Sequence, residues 1–365
     1  MITIKDIFRA HGSEYIERFG KNIPWNHLKV MDAIINCRTD AYGISFYRCD
    51  KCEERHRVFR SCGNRHCPSC QNHKTKEWLQ KQLDRQLPGH HFMITFTVPE
   101  ELREAIRSNQ RISYNALFKS SSEAMKKLAA DERFMGGDLP GFFGVLHTWG
   151  RTLSYHPHIH YIVTGGAISK PDSRWHPSGA SFYVSNRALS VIFRAKFRDA
   201  MKEAGLFHAV PYPVWEKDWN VNIQPVGDSE DSIAYLAPYV FKVAITDSRI
   251  VDVKDGKVTF RYKKDKSSRW RKMTISAMEF IRRFLQNVLP TGFMKVRHFG
   301  FLHPGSSVSM ETVRALIELS LGFTVFTPKK EKAETPAPHC ASCGGRLLYL
   351  YSILPCGMRL GFNTG

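Results

Sequence analysis

The spacing of apolar positions along the chain predicts a mixture of strands and helices. Alternation with a period of two, which is typical of half-buried strands, covers residues 91–98 and 155–166, and a further strand is predicted at about residues 142–152. Apolar positions at helical spacing predict helices at about residues 1–30, 74–87, 100–131, 186–204 and 310–321. A strand, a long helix and then a pair of strands are typical of an α+β layer with a central antiparallel sheet. We therefore predict an α+β fold.

The strand predicted at residues 155–166, YHPHIHYIVTGG, carries three histidines on one face. Because alternate residues of a strand point to the same side, His156, His158 and His160 project together, with successive Cα atoms about 7 Å apart. Imidazoles at that distance can share one metal ion, so the segment predicts a metal site. A half-buried strand with solvated histidines, or a structural metal clip, is the alternative interpretation.

Two Cys-x2-Cys pairs near the N-terminus are separated by fourteen residues. Cys49 and Cys52 form the first pair, and Cys67 and Cys70 form the second. This spacing is close to that of a zinc ribbon and predicts one tetrahedral zinc site. Four protein thiolates leave no position for a substrate, so the predicted role of the ion is structural.

Further thiols and imidazoles lie near these pairs or close to the C-terminus. Those near the pairs can surround the zinc, pack as core thiols or hold a second zinc ion; they are Cys37, Cys62, His56, His66 and His73. Cys340-x2-Cys343 has the spacing of half a further knuckle, for which Cys356 and His339 are candidate partners. These alternatives stay open at the level of the sequence.

Composition narrows the class of partner. The 365 residues suffice for two or three domains. Lys and Arg number 53 against 34 Asp and Glu, a net charge of +19, and such an excess favours a polyanion, most often nucleic acid. We find neither a signal peptide nor an apolar run of membrane-spanning length, so we expect a cytoplasmic protein without a membrane partner. Thiols stay reduced in that compartment, which favours metal sites over disulfides.

Residues 250–272 have the pattern of a β-hairpin with its turn at Asp255-Gly256. Basic residues follow the turn, and Phe260, Tyr262 and Trp270 are interleaved with them, a pattern that suits phosphate neutralisation and stacking of bases on rings. The DNA-binding candidates are Arg261, Lys263, Lys264, Arg269, Arg271 and Lys272. A charged, solvated hairpin is the alternative.

Two tyrosines, Tyr235 and Tyr239, lie four residues apart in SIAYLAPYVFK. On a helix this spacing places both hydroxyls on one face. Tyrosines at helical spacing are most often core aromatics, so the pair alone does not indicate chemistry. Pro238 lacks an N–H and is expected to kink the helix or to mark its frayed start.

Taken in order, five segments resemble the two-tyrosine HUH transposases of rolling-circle insertion sequences, the insertion-sequence-ninety-one type with an N-terminal zinc-binding domain. The segments are CRTDAYGISFYRCDKCEERHRVFRSCGNRHCPSCQ, ITFTVP, HPHIH, YLAPYVFKVAITDSRI and EFIRRFLQNVLPTGFMKVRHFGFL. The resemblance implies the HUH endonuclease fold, a ferredoxin- or RRM-like palm, preceded by a small zinc-ribbon-like domain.

The resemblance also implies that His158 and His160 are the HUH pair that binds a catalytic divalent cation, normally Mg²⁺ or Mn²⁺. Ligand softness alone points two imidazoles toward zinc, so this choice of metal comes from the family. The third ligand is open between His156, which shares the face and is favoured, and Gln224. The structural metal remains Zn²⁺.

Tyr235 and Tyr239 match the paired nucleophiles of that family. The implied function is a rolling-circle-type DNA transposase, which cleaves and rejoins single-stranded DNA through covalent 5′-phosphotyrosine intermediates. Its partners are single-stranded DNA at the transposon ends and at the target, and we expect association with the bacterial nucleoid when DNA is bound.

We expect four segments: a helical and zinc-binding domain, a catalytic domain, a basic extension, and a linker with a possible small Cys knuckle. Their expected bounds are 1–87, 88–290, 291–327 and 328–365. Two functions compete with the transposase: a non-catalytic zinc-dependent nucleic-acid-binding protein, and a metallohydrolase in which the histidine strand activates water.

Overall fold

The computed structural model describes residues 2–70, 72–241, 245–264, 269–324, 338–355 and 359–361. Some of these are described by their backbone alone, and they are residues 72–73, 238–239, 241 and 359–361. The chain forms two compact units. The first, here the cysteine unit, comprises residues 1–74, 241–288 and 330–365; the second, the histidine unit, comprises residues 75–240 and 289–329.

The described residues form an α+β fold with antiparallel sheets. The helices are α1 (Ile4–Phe19), α2 (Trp25–Ile35), α3 (Asn72–Leu83), α4 (Arg103–Ser108), α5 (Gln110–Ala129), α6 (Asn186–Glu203), α7 (Glu230–Phe241), α8 (Ala277–Leu285) and α9 (Met310–Leu321). The strands are β1 (Ile44–Cys49), β2 (Arg55–Phe59), β3 (His91–Thr97), β4 (Leu139–Trp149), β5 (Tyr155–Ser169), β6 (Arg174–Pro177), β7 (Val221–Pro225), β8 (Ile250–Lys254), β9 (Lys257–Lys263), β10 (Trp270–Ser276), β11 (Val296–Phe299), β12 (Leu347–Ile353) and β13 (Arg359–Gly361).

The predicted α+β class is confirmed, and the strands predicted at residues 91–98, about 142–152 and 155–166 are β3, β4 and β5. The long helix predicted at 100–131 is divided at Asn109 into α4 and α5. The predicted basic hairpin has a third strand, β10, beside β9. Its turn at Asp255 and Gly256 has φ values of 50° and 67°, the left-handed pair that a two-residue hairpin turn requires.

The histidine unit is built on a sheet with the order β11-β4-β5-β3-β7, and β6 pairs with β5. One face of this sheet packs against α5 and α6, where Phe96 contacts the Phe193 ring. The predicted core row on β5, Ile159, Tyr161 and Val163, is fully buried on this face. Because neighbouring residues of a strand point to opposite sides, the histidines of β5 lie on the other face.

The cysteine unit combines helices with two smaller sheets. α1 packs against α2 and α8, and the rings of Phe8 and Phe284 meet edge to face at 5.1 Å. One sheet has the order β10-β9-β8 and the other has the order β13-β12-β1-β2. A capping box between Thr3 and Asp6 begins α1, satisfying amides that the first helical turn leaves open.

This division differs from the expected domain bounds. Residues 241–288 belong to the cysteine unit and not to the histidine unit, because α8 buries Phe280, Ile281 and Phe284 and packs on α1. The C-terminal strand β12 also joins this unit, because it pairs with β1. Within the described ranges, the chain contains no helix that is both long and apolar enough to span a membrane.

Candidate metal sites and nucleophile

Three histidines meet on the face of the sheet opposite α5 and α6. His147 on β4 pairs directly with His158 on β5, and His160 follows two residues later on the same strand. The ring centroid of His147 lies 5.3 Å from that of His158 and 4.7 Å from that of His160, and the centroids of His158 and His160 are 4.8 Å apart. One ring nitrogen of each lies within 4.8 Å of the other two. We call this group the histidine cluster.

Hydrogen bonds to neighbouring groups orient two of these rings. The Nδ1 of His158 donates to the carbonyl oxygen of His156 at 2.7 Å, so the neutral ring presents the lone pair of Nε2. The Nδ1 of His160 is hydrogen-bonded to the hydroxyl of Thr95 at 2.9 Å. Ligating histidines in proteins are held in this way through the nitrogen that does not bind the metal.

The pKa values of these imidazoles favour the neutral form that a metal requires. Burial, followed by the charges of the neighbouring imidazoles, holds the pKa of His147 and of His158 well below the ordinary value. Burial lowers the pKa of His160 to about 4. All three rings are therefore neutral near pH 7, with a lone pair available for a cation.

The predicted third ligand, His156, lies outside this cluster. Its Nδ1 accepts a hydrogen bond of 2.8 Å from Nη2 of Arg103, and Nη1 of the same guanidinium donates to Glu100 Oε1 at 3.1 Å. Burial, with the Arg103 charge as a second cause, lowers the pKa of His156 to about 4. The other candidate, Gln224, is on β7, paired with Met93 of β3, two strands or roughly 9.6 Å of backbone away from β5.

His147 was missed because β4 has no polar–apolar alternation that would single it out. Every residue of β4 after Leu139 is buried, so a histidine there has the pattern of a core residue, and it stacks on Trp149 with centroids 5.0 Å apart. A usable sequence signal existed in the short connection between β4 and β5. Closing a hairpin over residues 150–154 brings His147 opposite His158.

The predicted nucleophiles lie on α7, in the histidine unit. The buried side of this helix carries Ile233, Leu236 and Val240, whereas Tyr235 is 52% exposed. The side chain of Tyr239 lies outside the part of the structure that is described. A cavity of about 260 Å³ is lined by Ile233 together with Phe143 and Ile162, which are paired on the same sheet face as the histidine cluster.

The four cysteines predicted to form one zinc site belong to two separate clusters. The first cluster, which we call the N-terminal cluster, contains Cys37, Cys62, Cys67 and Cys70; the second, which we call the closing cluster, contains Cys49, Cys52, Cys340 and Cys343. Within each cluster all four sulfurs lie within 4.8 Å of one another. The predicted grouping of Cys49 and Cys52 with Cys67 and Cys70 is thereby corrected.

The physical reason for the correction is strand pairing between distant segments. Cys49 ends β1, which pairs with β12, and this pairing carries the Cys340-x2-Cys343 knuckle next to Cys49. Cys37 and Cys62 then complete the N-terminal cluster, where the sulfur of Cys70 lies 3.3 Å from that of Cys37 and 3.5 Å from that of Cys62. Two other partners were considered for the C-terminal knuckle. The backbone of His339 pairs with that of Arg346 in an isolated antiparallel β-bridge, and Cys356 lies outside the described residues.

The basic candidates are distributed over both faces of the β8–β10 sheet. Lys263 pairs with Trp270, and Arg261 pairs with Lys272, so these four share one face. Trp270 is 52% exposed, and the Arg261 guanidinium and the Lys263 ammonium lie 5.0 and 5.1 Å from its ring centroid. Arg271 points to the other side, while Lys264 and Arg269 flank the connection between β9 and β10.

Comparison with known proteins identifies the class. Residues 7–98 match the family described as transposase zinc-binding domain, and residues 141–309 match the family described as putative transposase. The first match covers the N-terminal cluster and the second covers the histidine cluster and α7. The two matches define a transposase with a zinc-binding domain.

Two curated relatives extend the match over most of the chain. The putative transposase y4qJ of Sinorhizobium fredii (strain NBRC 101917 / NGR234) is 35% identical over 355 residues, covering 92% of this chain and 87% of that protein. The transposase for insertion sequence element IS801 of Pseudomonas savastanoi pv. phaseolicola is 24% identical over 372 residues, with coverages of 92% and 88%. No solved structure matches the chain. The chain belongs to the IS91 family of transposases and has an N-terminal zinc-binding domain.

Proposed function

We propose that this transposase cleaves and rejoins single-stranded DNA at transposon ends and at the target. Tyr235 and Tyr239 are the nucleophiles, and His147, His158 and His160 hold one divalent cation. The observation that carries the proposal is the grouping of three neutral imidazoles, one buried and two half-buried, in the same unit as an exposed tyrosine side chain. The family membership supports DNA as the substrate.

The donor set fits a divalent first-row cation. Hydrogen bonds hold Nδ1 of His158 and of His160, which leaves Nε2 of each ring as the atom that would bind the cation. Imidazole ligands suit Mn²⁺ better than Mg²⁺, because Mg²⁺ prefers oxygen donors. A cation bound here supplies positive charge to the non-bridging oxygens of the scissile phosphate, where negative charge develops in the transition state.

The tyrosines perform the bond exchange. The phenol oxygen attacks phosphorus in line, and the new O–P bond forms as the bond from phosphorus to the 3′ oxygen breaks. The phenol loses a proton and the leaving oxygen gains one, which gives a 5′-phosphotyrosine and a 3′-hydroxyl. The new ester is as reactive as the old one, so the 3′-hydroxyl of another strand can reverse the step and become joined. Two tyrosines allow two such links at once.

The position of Tyr235 on α7 supports its role. Its exposure leaves the ring accessible to a DNA strand, while Ile233 and Leu236 anchor the helix by burial. Ile233 lines a cavity with Phe143 and Ile162 of the histidine-bearing face. The anchoring side of the helix therefore lines a cavity together with the sheet face that carries the imidazoles.

The basic face of the β8–β10 sheet is proposed to bind single-stranded DNA. Arg261, Lys263 and Lys272 surround the exposed ring of Trp270, so phosphates meet positive charge and a base can stack on the indole. Lys264, Arg269 and Arg271 add charge around this face. The interleaving of rings and cations supports single-stranded rather than double-stranded DNA.

Zn²⁺ is proposed at the N-terminal cluster. With Zn–S bonds of about 2.3 Å, tetrahedral thiolates lie about 3.8 Å apart, close to the sulfur distances found there. Four thiolates fill the coordination shell, so the ion stabilises the fold and takes no part in the chemistry.

The test is strand cleavage of single-stranded oligonucleotides that tile both ends of the encoding element, with and without Mn²⁺ or Mg²⁺. Each oligonucleotide is labelled separately at its 5′ and 3′ ends. A 5′-phosphotyrosine retains the downstream fragment, so only the 3′ label is expected to migrate with the protein on a denaturing gel. The adduct is expected to be absent from a Tyr235→Phe, Tyr239→Phe double variant.

Other outcomes contradict the proposal in recognisable ways. Cleavage that releases both labels as free fragments, unchanged in the double variant, indicates a hydrolase that activates water. Binding without cleavage under every metal condition indicates a binding module. A 5′ label that migrates with the protein reverses the polarity of the proposed link.

A further inference from the structure

The closing cluster joins two Cys-x2-Cys knuckles from opposite ends of the chain. The sulfur of Cys343 lies 3.4 Å from that of Cys49 and 3.3 Å from that of Cys52, and Cys52 lies 3.7 Å from Cys340. Cys49 and Cys343 are 294 positions apart in sequence. The match to the transposase zinc-binding domain ends at residue 98, so it does not include the C-terminal pair.

The backbone around the sulfurs is folded to approach them closely. The amide of Lys51 donates to Cys49 Sγ at 3.4 Å, and the amide of Arg346 donates to Asp50 Oδ1 at 2.8 Å. A Cβ atom on Gly345 would lie 2.6 Å from Cys49 Sγ, so only glycine fits beside the sulfur. Amides directed at sulfur stabilise the thiolate form, which is the form that binds metal.

The strands that hold the cluster have little apolar core of their own. β1 and β12 pair from Ile44 to Cys49, yet the buried apolar cluster here consists of Cys49, Cys340 and Leu347. A segment that cannot bury enough apolar surface is commonly stabilised by a structural metal. Four thiolates at tetrahedral spacing in a reduced protein are the ligand set of zinc.

We propose that Cys49, Cys52, Cys340 and Cys343 bind a second zinc ion, which ties residues 338–355 to β1. The ion is also the more labile of the two. Cys52 and Cys343 are exposed, whereas Cys37, Cys67 and Cys70 of the N-terminal cluster are buried. A chelator therefore reaches the closing cluster first.

Zinc content of the purified full-length protein tests the proposal. Two equivalents are expected for the wild type, and one for a Cys340→Ser, Cys343→Ser double variant. Ala341→Ser is the matched control, because it adds a hydroxyl between the same two cysteines without removing a ligand, and it is expected to retain two. Cys343→His keeps four donors at an exposed position and is also expected to retain two.

Chelator competition followed with a metal-sensitive dye tests the order of release. The wild type is expected to lose zinc in two phases of equal amplitude, and the Cys340→Ser, Cys343→Ser variant is expected to lack the fast phase. After Co²⁺ substitution, Cys343→His should shift the d–d absorption of one ion only. This readout remains informative if the double serine variant folds poorly.

Three results overturn the proposal. The first is a single zinc equivalent in the wild type with no loss in the double variant. The second is a Cys49–Cys343 or Cys52–Cys340 disulfide in protein purified under reducing conditions, found by mass spectrometry without further reduction. The third is loss of the slow phase instead of the fast one in the double variant. None of these depends on DNA cleavage, so the proposal fails or stands independently of the transposition chemistry.

Discussion

The histidine cluster and the closing cluster hold their ligands by different means. His147, His158 and His160 project from two adjacent strands of a sheet whose other face is packed against helices. Cys49 and Cys343 are brought together only by pairing of β1 with β12, beside a very small apolar cluster. The first site is organised by the hydrophobic core before any metal binds. In our proposal the second site depends on its metal for the fold, and this difference orders the predictions below.

Zinc removal gives the largest expected effect. Structural zinc contributes roughly 10 kcal/mol or more, comparable to the roughly 5–15 kcal/mol of total stability of a domain. We expect a zinc chelator to abolish hydrogen-exchange protection in β1, β2 and β12, while β3, β4 and β5 stay protected. Retained protection in β12 after complete loss of zinc would show that the fold around the closing cluster does not depend on its metal.

Replacement of His158 by alanine is expected to lower the cleavage rate about 10³-fold, a loss of about 4 kcal/mol of transition-state stabilisation. The zinc content and the thermal midpoint of the cysteine unit should not change, because the histidine cluster is separate from the thiolates. The measurement is single-turnover cleavage with saturating Mn²⁺. A His158→Ala variant that cleaves at the wild-type rate would contradict the assignment of the metal site.

His147→Ala and His156→Ala form a matched pair that separates the proposed ligand on β4 from the ligand expected on β5 from alternation. Loss of His147 is expected to raise the Kd for Mn²⁺ about 100-fold, because one of three donors is removed. Loss of His156 removes a hydrogen bond to Arg103, and we expect a change of less than about 10-fold. Calorimetric titration measures both. The reverse order would restore His156 as the ligand.

The same contrast explains how much of the molecule was predictable from sequence. His158 and His160 lie on one strand, where a period of two fixes their common face, so alternation found them. His147 lies on a strand that is buried on both faces, where alternation is absent. Only the pairing register of β4 with β5 places it opposite His158. The α+β class followed from local patterns in the same way.

The cysteines show where local patterns mislead. Cys49-x2-Cys52 and Cys67-x2-Cys70 have ribbon spacing, yet they separate because β12 returns from the far end of the chain to pair with β1. The same kind of long-range packing moved residues 241–288 into the cysteine unit through the contact of α8 with α1. Spacing describes which cysteines can meet, and the choice among them depends on tertiary pairing.

Thr95→Val tests whether the hydrogen bond to His160 helps to hold the histidine cluster in place, in addition to the packing of the core. The substitution keeps the shape of the side chain and removes the hydroxyl bonded to Nδ1 of His160. We expect metal affinity to fall about 10-fold, the lower end of the range for residues that support a ligand. Thr97, paired with His158 on the same face, provides a control in Thr97→Val, for which a smaller change is expected. Equal effects would contradict the specific role of Thr95.

The smallest expected effect concerns the basic face of the cysteine unit. Trp270→Ala should weaken binding of single-stranded DNA by about 1 kcal/mol, or roughly 5-fold, since one base loses its stacking partner.

Lys272 and Arg271 are adjacent on β10 but point to opposite faces, so their alanine variants remove equal charge from different sides. We expect Lys272→Ala to weaken binding more and to reduce its salt dependence, while cleavage of bound DNA stays unchanged. Equal losses from both variants, measured by fluorescence anisotropy at several salt concentrations, would mean that the charge of the whole sheet acts and that no face is selected.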